Sequence, residues 1–241
     1  MERWTPEGSG GRGGDRREGG GDEPPAVGGR PGGGSPLPQR LAVYFIYDLG
    51  LSGEGDPAPL LRPVLEAGIR AVQLRAKEVP DRVAYRVAVA VRDLTARFGA
   101  LLIVNDRLDL ALAAAADGVH LGQDDLPAEA ARRLWPEGLL GVSVRTPVEA
   151  RAAEAAGADY VGAGALRSTS TKPDSRVIGL EGLAAVVGAT RLPVIAIGGI
   201  TVDDLPALRR LGVAGVAVAS AIARAADPRQ AAAAFLRAWT C

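Results

Sequence analysis

The chain has 241 residues, 47% of them hydrophobic, with 28 basic and 28 acidic side chains and so a formal net charge of zero. That balance excludes the long-range positive field of a general nucleic-acid binder or a membrane-surface protein, and no apolar run is long enough to cross a bilayer. The only cysteine, Cys241, allows neither an internal disulfide nor a cysteine metal cage, which points to an intracellular, cytoplasmic protein. The only histidine, His120, rules out zinc sites built from several imidazoles, so any metal rests on oxygen ligands and Mg²⁺ is favoured.

Residues 1–39 are rich in Gly, Pro, Arg and Glu and show no apolar periodicity. Such a segment buries too little surface to offset its chain entropy, and we expect a disordered tail there, followed by one domain over residues 40–241. The tail has no apolar core of a secretory signal.

From Leu41 onward, short β-branched runs alternate with Ala-, Leu- and Arg-rich stretches of helical period. Strands are predicted at Val43–Tyr47, Ala71–Leu74, Leu101–Val104, Gly118–Leu121, Leu140–Ser143, Tyr160–Gly162, Val194–Ile197 and Gly215–Val218. Helices are predicted at Asp81–Phe98, Pro147–Ala156, Asp203–Leu211 and Pro228–Trp239, several opened by Pro or Asp and closed near Gly. A weak repeat joins helix to strand in Ala116-Asp117-Gly118-Val119, Gly157-Ala158-Asp159-Tyr160-Val161 and Gly212-Val213-Ala214-Gly215-Val216. Eight such units in about 200 residues indicate a closed (β/α)₈ TIM barrel, with an open doubly wound sheet as the fallback.

In such a barrel, function gathers at the C-terminal strand ends. The second strand continues as Val72-Gln73-Leu74-Arg75-Ala76-Lys77, and alternation puts Gln73, Arg75 and Lys77 on one side. Asn105-Asp106 closes the third strand and Asp124-Asp125 follows the fourth. Each acidic pair alone reads equally well as a helix cap, but together they could bring Asp106 and Asp125 to one hard cation. His120, inside an apolar strand, reads as a satisfied core residue.

The loop after the sixth strand carries Ser168, Thr169, Ser170, Thr171 and Lys172, hydroxyls and a fixed cation that suit an anionic ligand under a lid. Gly198-Gly199 after the seventh strand and Ala219-Ser220 after the eighth stand where these barrels offer free backbone N–H groups to phosphate.

These segments, with Gly141-Val142-Ser143 and Ala196 to Thr201, together resemble the thiamine phosphate synthase family over nearly all of residues 41–241. The resemblance implies a transferase of thiamine biosynthesis. It would join 4-amino-5-hydroxymethyl-2-methylpyrimidine diphosphate to 4-methyl-5-(2-phosphoethyl)thiazole, using one Mg²⁺ per active site. By position it implies that Gln73, Leu74, Arg75, Ala76, Lys77, Asn105, Ser143 and Lys172 hold the pyrimidine diphosphate, with Arg75, Lys77 and Lys172 acting in catalysis. Asp106 and Asp125 match the metal ligands; Thr169, Ser170, Thr171, Gly199, Ala219 and Ser220 match the thiazole phosphate site. That leaves Asp124 to cap the next helix.

The implied partners are small phosphorylated molecules, not nucleic acid or membrane, and a homo-oligomer stays open. Two departures stand out: Arg145 replaces a common histidine, and Ala165-Leu166-Arg167-Ser168 replaces a stretch with Pro and an aromatic. The rivals are a metal-independent thiazole tautomerase of the same fold, which would lack the Asp106 and Asp125 pair, and a non-catalytic binder, which would hold substrates without turnover.

Overall fold

The computed structural model describes residues 35–168 and 176–240. Eight parallel strands close in sequence order into one barrel. They are β1 (Val43–Asp48), β2 (Ala71–Arg75), β3 (Leu101–Asn105), β4 (Gly118–Leu121), β5 (Leu139–Val144), β6 (Tyr160–Gly164), β7 (Val194–Ile197) and β8 (Gly215–Val218). Every predicted strand is present. Several run further than their apolar residues suggest, because neighbouring strands continue the ladder: Asp48 pairs with Arg75 and Asn105 with His120. Polar residues at the C-terminal rim are thereby fixed by backbone pairing.

Alternation along each strand divides the apolar residues into two cores. Val72, Leu74, Leu102, Val104, Val119 and Val142 point outward against the helices. Leu41, Tyr44, Ile46, Leu101, Ile103 and Tyr160 fill the interior. The helices Asp81–Arg97, Pro147–Ala155 and Pro228–Thr240 lie close to their predicted spans. Two expectations need correction. Part of the span expected to be disordered is ordered: Leu37–Arg40 form a helical turn, and Leu37 packs on the interior core, gaining burial that composition alone does not reveal. A 3₁₀ turn at Val202–Asp204 precedes the helix Leu205–Leu211, and the Asp204 carboxylate accepts hydrogen bonds from the Thr201 N–H and hydroxyl at 2.8 and 2.9 Å.

The helix-to-strand repeat has a physical basis at the N-terminal end of the barrel. Asp117 donates its N–H to the Leu102 carbonyl and accepts the Leu102 N–H on its side chain, both at 2.8 Å. Asp159 does the same to Leu140. A helix arginine neutralises each carboxylate, Arg92 at 2.6 Å from Asp117 and Arg132 at 2.7 Å from Asp159. Each clasp thus joins two strands and one helix. In the third copy Ala214 keeps only the backbone bond, to the Val194 carbonyl.

Removing the Asp117 carboxylate strands the Leu102 N–H and the Arg92 guanidinium. We therefore expect Asp117→Ala to lower stability by about 1–3 kcal/mol. Urea unfolding measures it, and an unchanged midpoint would contradict the clasp.

Candidate active site

The barrel interior is closed partway up by a floor of large polar residues. Tyr44 and Tyr160 meet edge to face, with ring centroids 6.1 Å apart, and their hydroxyls are 3.1 Å apart. Glycines make this possible: a Cβ at Gly141 would lie 2.2 Å from the Tyr160 ring and 2.4 Å from His120 Nδ1. A hydrogen-bonded chain crosses the floor. The Gln73 amide donates to the Tyr44 hydroxyl at 3.0 Å, Tyr160 meets His120 Nδ1 at 3.1 Å, and His120 Nε2 meets Ser143 Oγ at 2.9 Å. Burial pushes both tyrosines above the ordinary phenol range, so they remain neutral. His120 is buried and hydrogen-bonded as expected of a core histidine, yet it also lines the cavity above.

That cavity has a volume of about 320 Å³. Gln73, Arg75, Asn105 and Ser143 line one part of its wall, and Gly199, Ala219 and Ser220 another. Arg145 also faces it, while its N–H is held by Glu149. Leu74 and Ala76 were expected to bind through this segment, but the strand period of two turns their side chains outward. Leu74 is fully buried against the helices and Ala76 packs on the same core, so only their main chain is left for a ligand.

Charge is concentrated at the ends of β2, β3 and β4. Arg75 is paired with Asp48 at 2.5 Å and Lys77 with Asp106 at 2.8 Å. Asp106 has φ of +65°, a left-handed conformation that Asp tolerates better than most residues with a Cβ, and its N–H donates to the His120 carbonyl. Asp125 accepts the Gly122 N–H at 2.6 Å. Its carboxyl is raised above the ordinary range, first by burial and then by hydrogen-bond contact with Asp106, with the Gly122 N–H acting against this. Two carboxylates in contact repel unless a proton or a cation lies between them. Neither acts as a helix cap: no side chain caps Leu108–Ala113 or Ala128–Leu134. This corrects the expectation for Asp124, which is exposed; the helix begins only after Pro127, too far along the chain for it.

The turn after β7 requires its glycines. Gly198 and Gly199 have φ of +97° and +65°, and a Cβ at Gly198 would lie 2.7 Å from that of Ala165. The unusual Ala165–Ser168 segment is strapped onto this turn. Leu166 and Arg167 donate N–H groups to the Ile197 and Gly198 carbonyls, and the Arg167 guanidinium grips Asp204 at 2.5 and 2.7 Å and the Gly199 carbonyl at 3.0 Å. Thr169, Ser170, Thr171 and Lys172 lie outside the described residues. Sequence reading passed over Tyr44, Tyr160 and Asp48. The usable signal was period: Tyr44 and Asp48 share a face of β1, and Asp48 ends that strand as Arg75 and Asn105 end theirs.

The fold is a (β/α)₈ barrel whose polar and charged groups gather on the C-terminal strand ends, with glycine turns opposite a carboxylate pair, the end at which enzymes of this fold carry their active sites. A family model described as thiamine monophosphate synthase matches residues 43–222, and the chain belongs to that family. It is 45% identical over 195 residues to the thiamine-phosphate synthase of Pyrococcus furiosus, covering 81% of this chain and 93% of that one. With the thiamine-phosphate synthase of Moorella thermoacetica it shares 47% identity over 187 residues, covering 77% and 89%. Among solved structures, the thiamine phosphate pyrophosphorylase from Pyrococcus furiosus superposes with a TM-score of 0.79 at 41% identity, over 85% of this chain and 98% of that one.

Arg167 holds the Asp204 carboxyl well below the ordinary range, so this pair stabilises the fold above about pH 4 and its contribution fades as pH falls toward the folded value. At this partly exposed site it amounts to about 1 kcal/mol or less. The stability difference between wild type and Asp204→Asn should be constant above about pH 5 and shrink below about pH 4 in urea titrations. A difference that grows on acidification would refute the pairing.

Proposed function

We propose that the chain makes thiamine phosphate and diphosphate from 4-amino-5-hydroxymethyl-2-methylpyrimidine diphosphate and 4-methyl-5-(2-phosphoethyl)thiazole. The observation that carries this reading is one cavity lined by Arg75, Asn105 and Ser143 in one part and by Gly199 and Ser220 in another, in a member of this family. One group suits a diphosphate on an aromatic ring and the other a single phosphate.

The bond between the pyrimidine methylene carbon and the diphosphate oxygen breaks, and its electron pair leaves on the diphosphate. The electron-rich aminopyrimidine stabilises the methylene cation, and the thiazole nitrogen lone pair closes the new carbon–nitrogen bond. No protein nucleophile takes part and no proton is transferred. The enzyme has to stabilise charge on the departing diphosphate more than in the bound substrate. Arg75, Lys77 and Asn105 serve that end, with Lys172 from the loop after β6. The neutral floor of Tyr44 and Tyr160 keeps water from below the cation. Gly199, Ala219 and Ser220, with Thr169 to Thr171, hold the thiazole phosphate.

Asp106 and Asp125 fit Mg²⁺. They offer only hard oxygen donors, and they are drawn into contact despite their charge. Two carboxylates leave positions for waters and phosphate oxygens, as Mg²⁺ requires. Bound there, the ion would neutralise charge on the diphosphate. The same carboxylate pair supports this reading over a metal-independent tautomerase. Among the described residues no helix is long and apolar enough to cross a membrane.

Purified protein with both substrates and Mg²⁺ should release diphosphate and form thiamine phosphate, and EDTA should stop it; absence of product would refute the reading. Asp125→Asn should cut turnover on the order of 100-fold, the scale of losing one strong electrostatic contact, with little loss of thermal stability. Parallel loss of activity and stability would place Asp125 in the fold instead of the chemistry.

A further inference from the structure

Asp48 is a buried ionisable side chain at the end of β1, where it caps the helical turn Leu49–Ser52. Only 3% of it is exposed, and both carboxylate oxygens are engaged: Oδ1 accepts the Gly50 N–H at 2.8 Å and Oδ2 accepts from Arg75 Nη1 at 2.5 Å. Asp48 and Arg75 face each other across the β1–β2 ladder, at the last paired position before both strands end. A buried carboxylate locked on one oxygen by main chain presents its other oxygen in a fixed place. The guanidinium it holds lines the cavity.

We propose that Asp48 is a positioning residue that holds the Arg75 guanidinium in the orientation needed to receive the diphosphate of the pyrimidine substrate. This rests on the reaction proposed above. An arginine side chain otherwise samples many rotamers, and fixing it on binding costs side-chain entropy. The pair with Asp48 spends one guanidinium nitrogen and leaves the remaining N–H donors of a planar fork aimed by that contact. Asp48 also offsets part of the Arg75 charge, so a gain in bare electrostatic attraction cannot be its role. What the geometry supplies is orientation, and misplacement by about 1 Å can cost on the order of 100-fold in rate.

Asp48→Asn is the direct test, since Asn keeps the shape and can still accept the Gly50 N–H through its amide oxygen, while its NH₂ group cannot accept from Arg75. The variant should lose 10-fold or more in kcat/KM for the pyrimidine diphosphate and keep the wild-type KM for the thiazole phosphate. In an Arg75→Ala background the same substitution should change nothing further, because there is no guanidinium left to orient. Additive losses in the double variant, a raised KM for the thiazole phosphate, or unchanged kinetics would each overturn the proposal. If Asp48→Asn does not fold, Asp48→Glu decides: it keeps the charge but moves the carboxylate by one methylene, so it should show the same selective loss. Full activity of Asp48→Glu would overturn the proposal. Wild-type protein in the same assay separates the two ideas, since no product there refutes the reaction itself, whereas an active wild type with an equally active variant refutes only the role of Asp48.

Discussion

The architecture depends on how a barrel of eight short strands fills its own interior. Apolar side chains fill the lower part, but Tyr44 and Tyr160 cross the axis midway and carry hydroxyls that must be satisfied away from water. Gln73 and His120 satisfy them, and Gly141 and Gly162 supply the volume by having no side chain of their own. The floor therefore does two jobs. It completes the packed core below, and it ends that core early enough to leave a cavity above, which Gln73, Tyr44, Tyr160, His120 and Ser143 all line.

The two ends of the barrel use aspartate in opposite ways. At the N-terminal end, Asp117 and Asp159 are each matched to a backbone N–H and an arginine, so their charge is spent on joining strands to helices. At the C-terminal end, Asp106 and Asp125 are brought against each other, with Lys77 ion-paired to Asp106 and also attracting Asp125. A fold tolerates that repulsion where a cation or substrate relieves it, and stability elsewhere covers the cost. Asp48 stands between these cases: fully satisfied like the lower pair, yet satisfied by a residue of the cavity wall.

Much of this was legible in the chain. Strand positions followed from β-branched runs, because a buried parallel strand needs them whatever it packs against. The residue types along Gln73 to Lys77 and at Asn105 and Asp106 could be assigned to one end of the barrel, since alternation and strand polarity are local properties. The helix-to-strand repeat was visible as a pattern, although its cause, a clasp between residues 15 or 19 positions apart, was not. Asp124 and Asp125 show the limit of local reading. Their sequence context is the same, and only the position of Asp106 across the β3–β4 boundary distinguishes the one that shares its contact from the one left in solvent.

By itself, then, the sequence determined the barrel, its order of strands, the end at which polar groups gather and the family to which they belong, because these rest on periodicity and residue type within single segments. The tertiary structure decided which side chains meet. It placed Tyr160 over Gly141, His120 against Ser143, Arg167 on Asp204 and Asp48 on Arg75, pairs separated by 19 to 37 residues. Such contacts depend on the closure of the barrel and on which neighbours lack a Cβ, and no single segment carries that information.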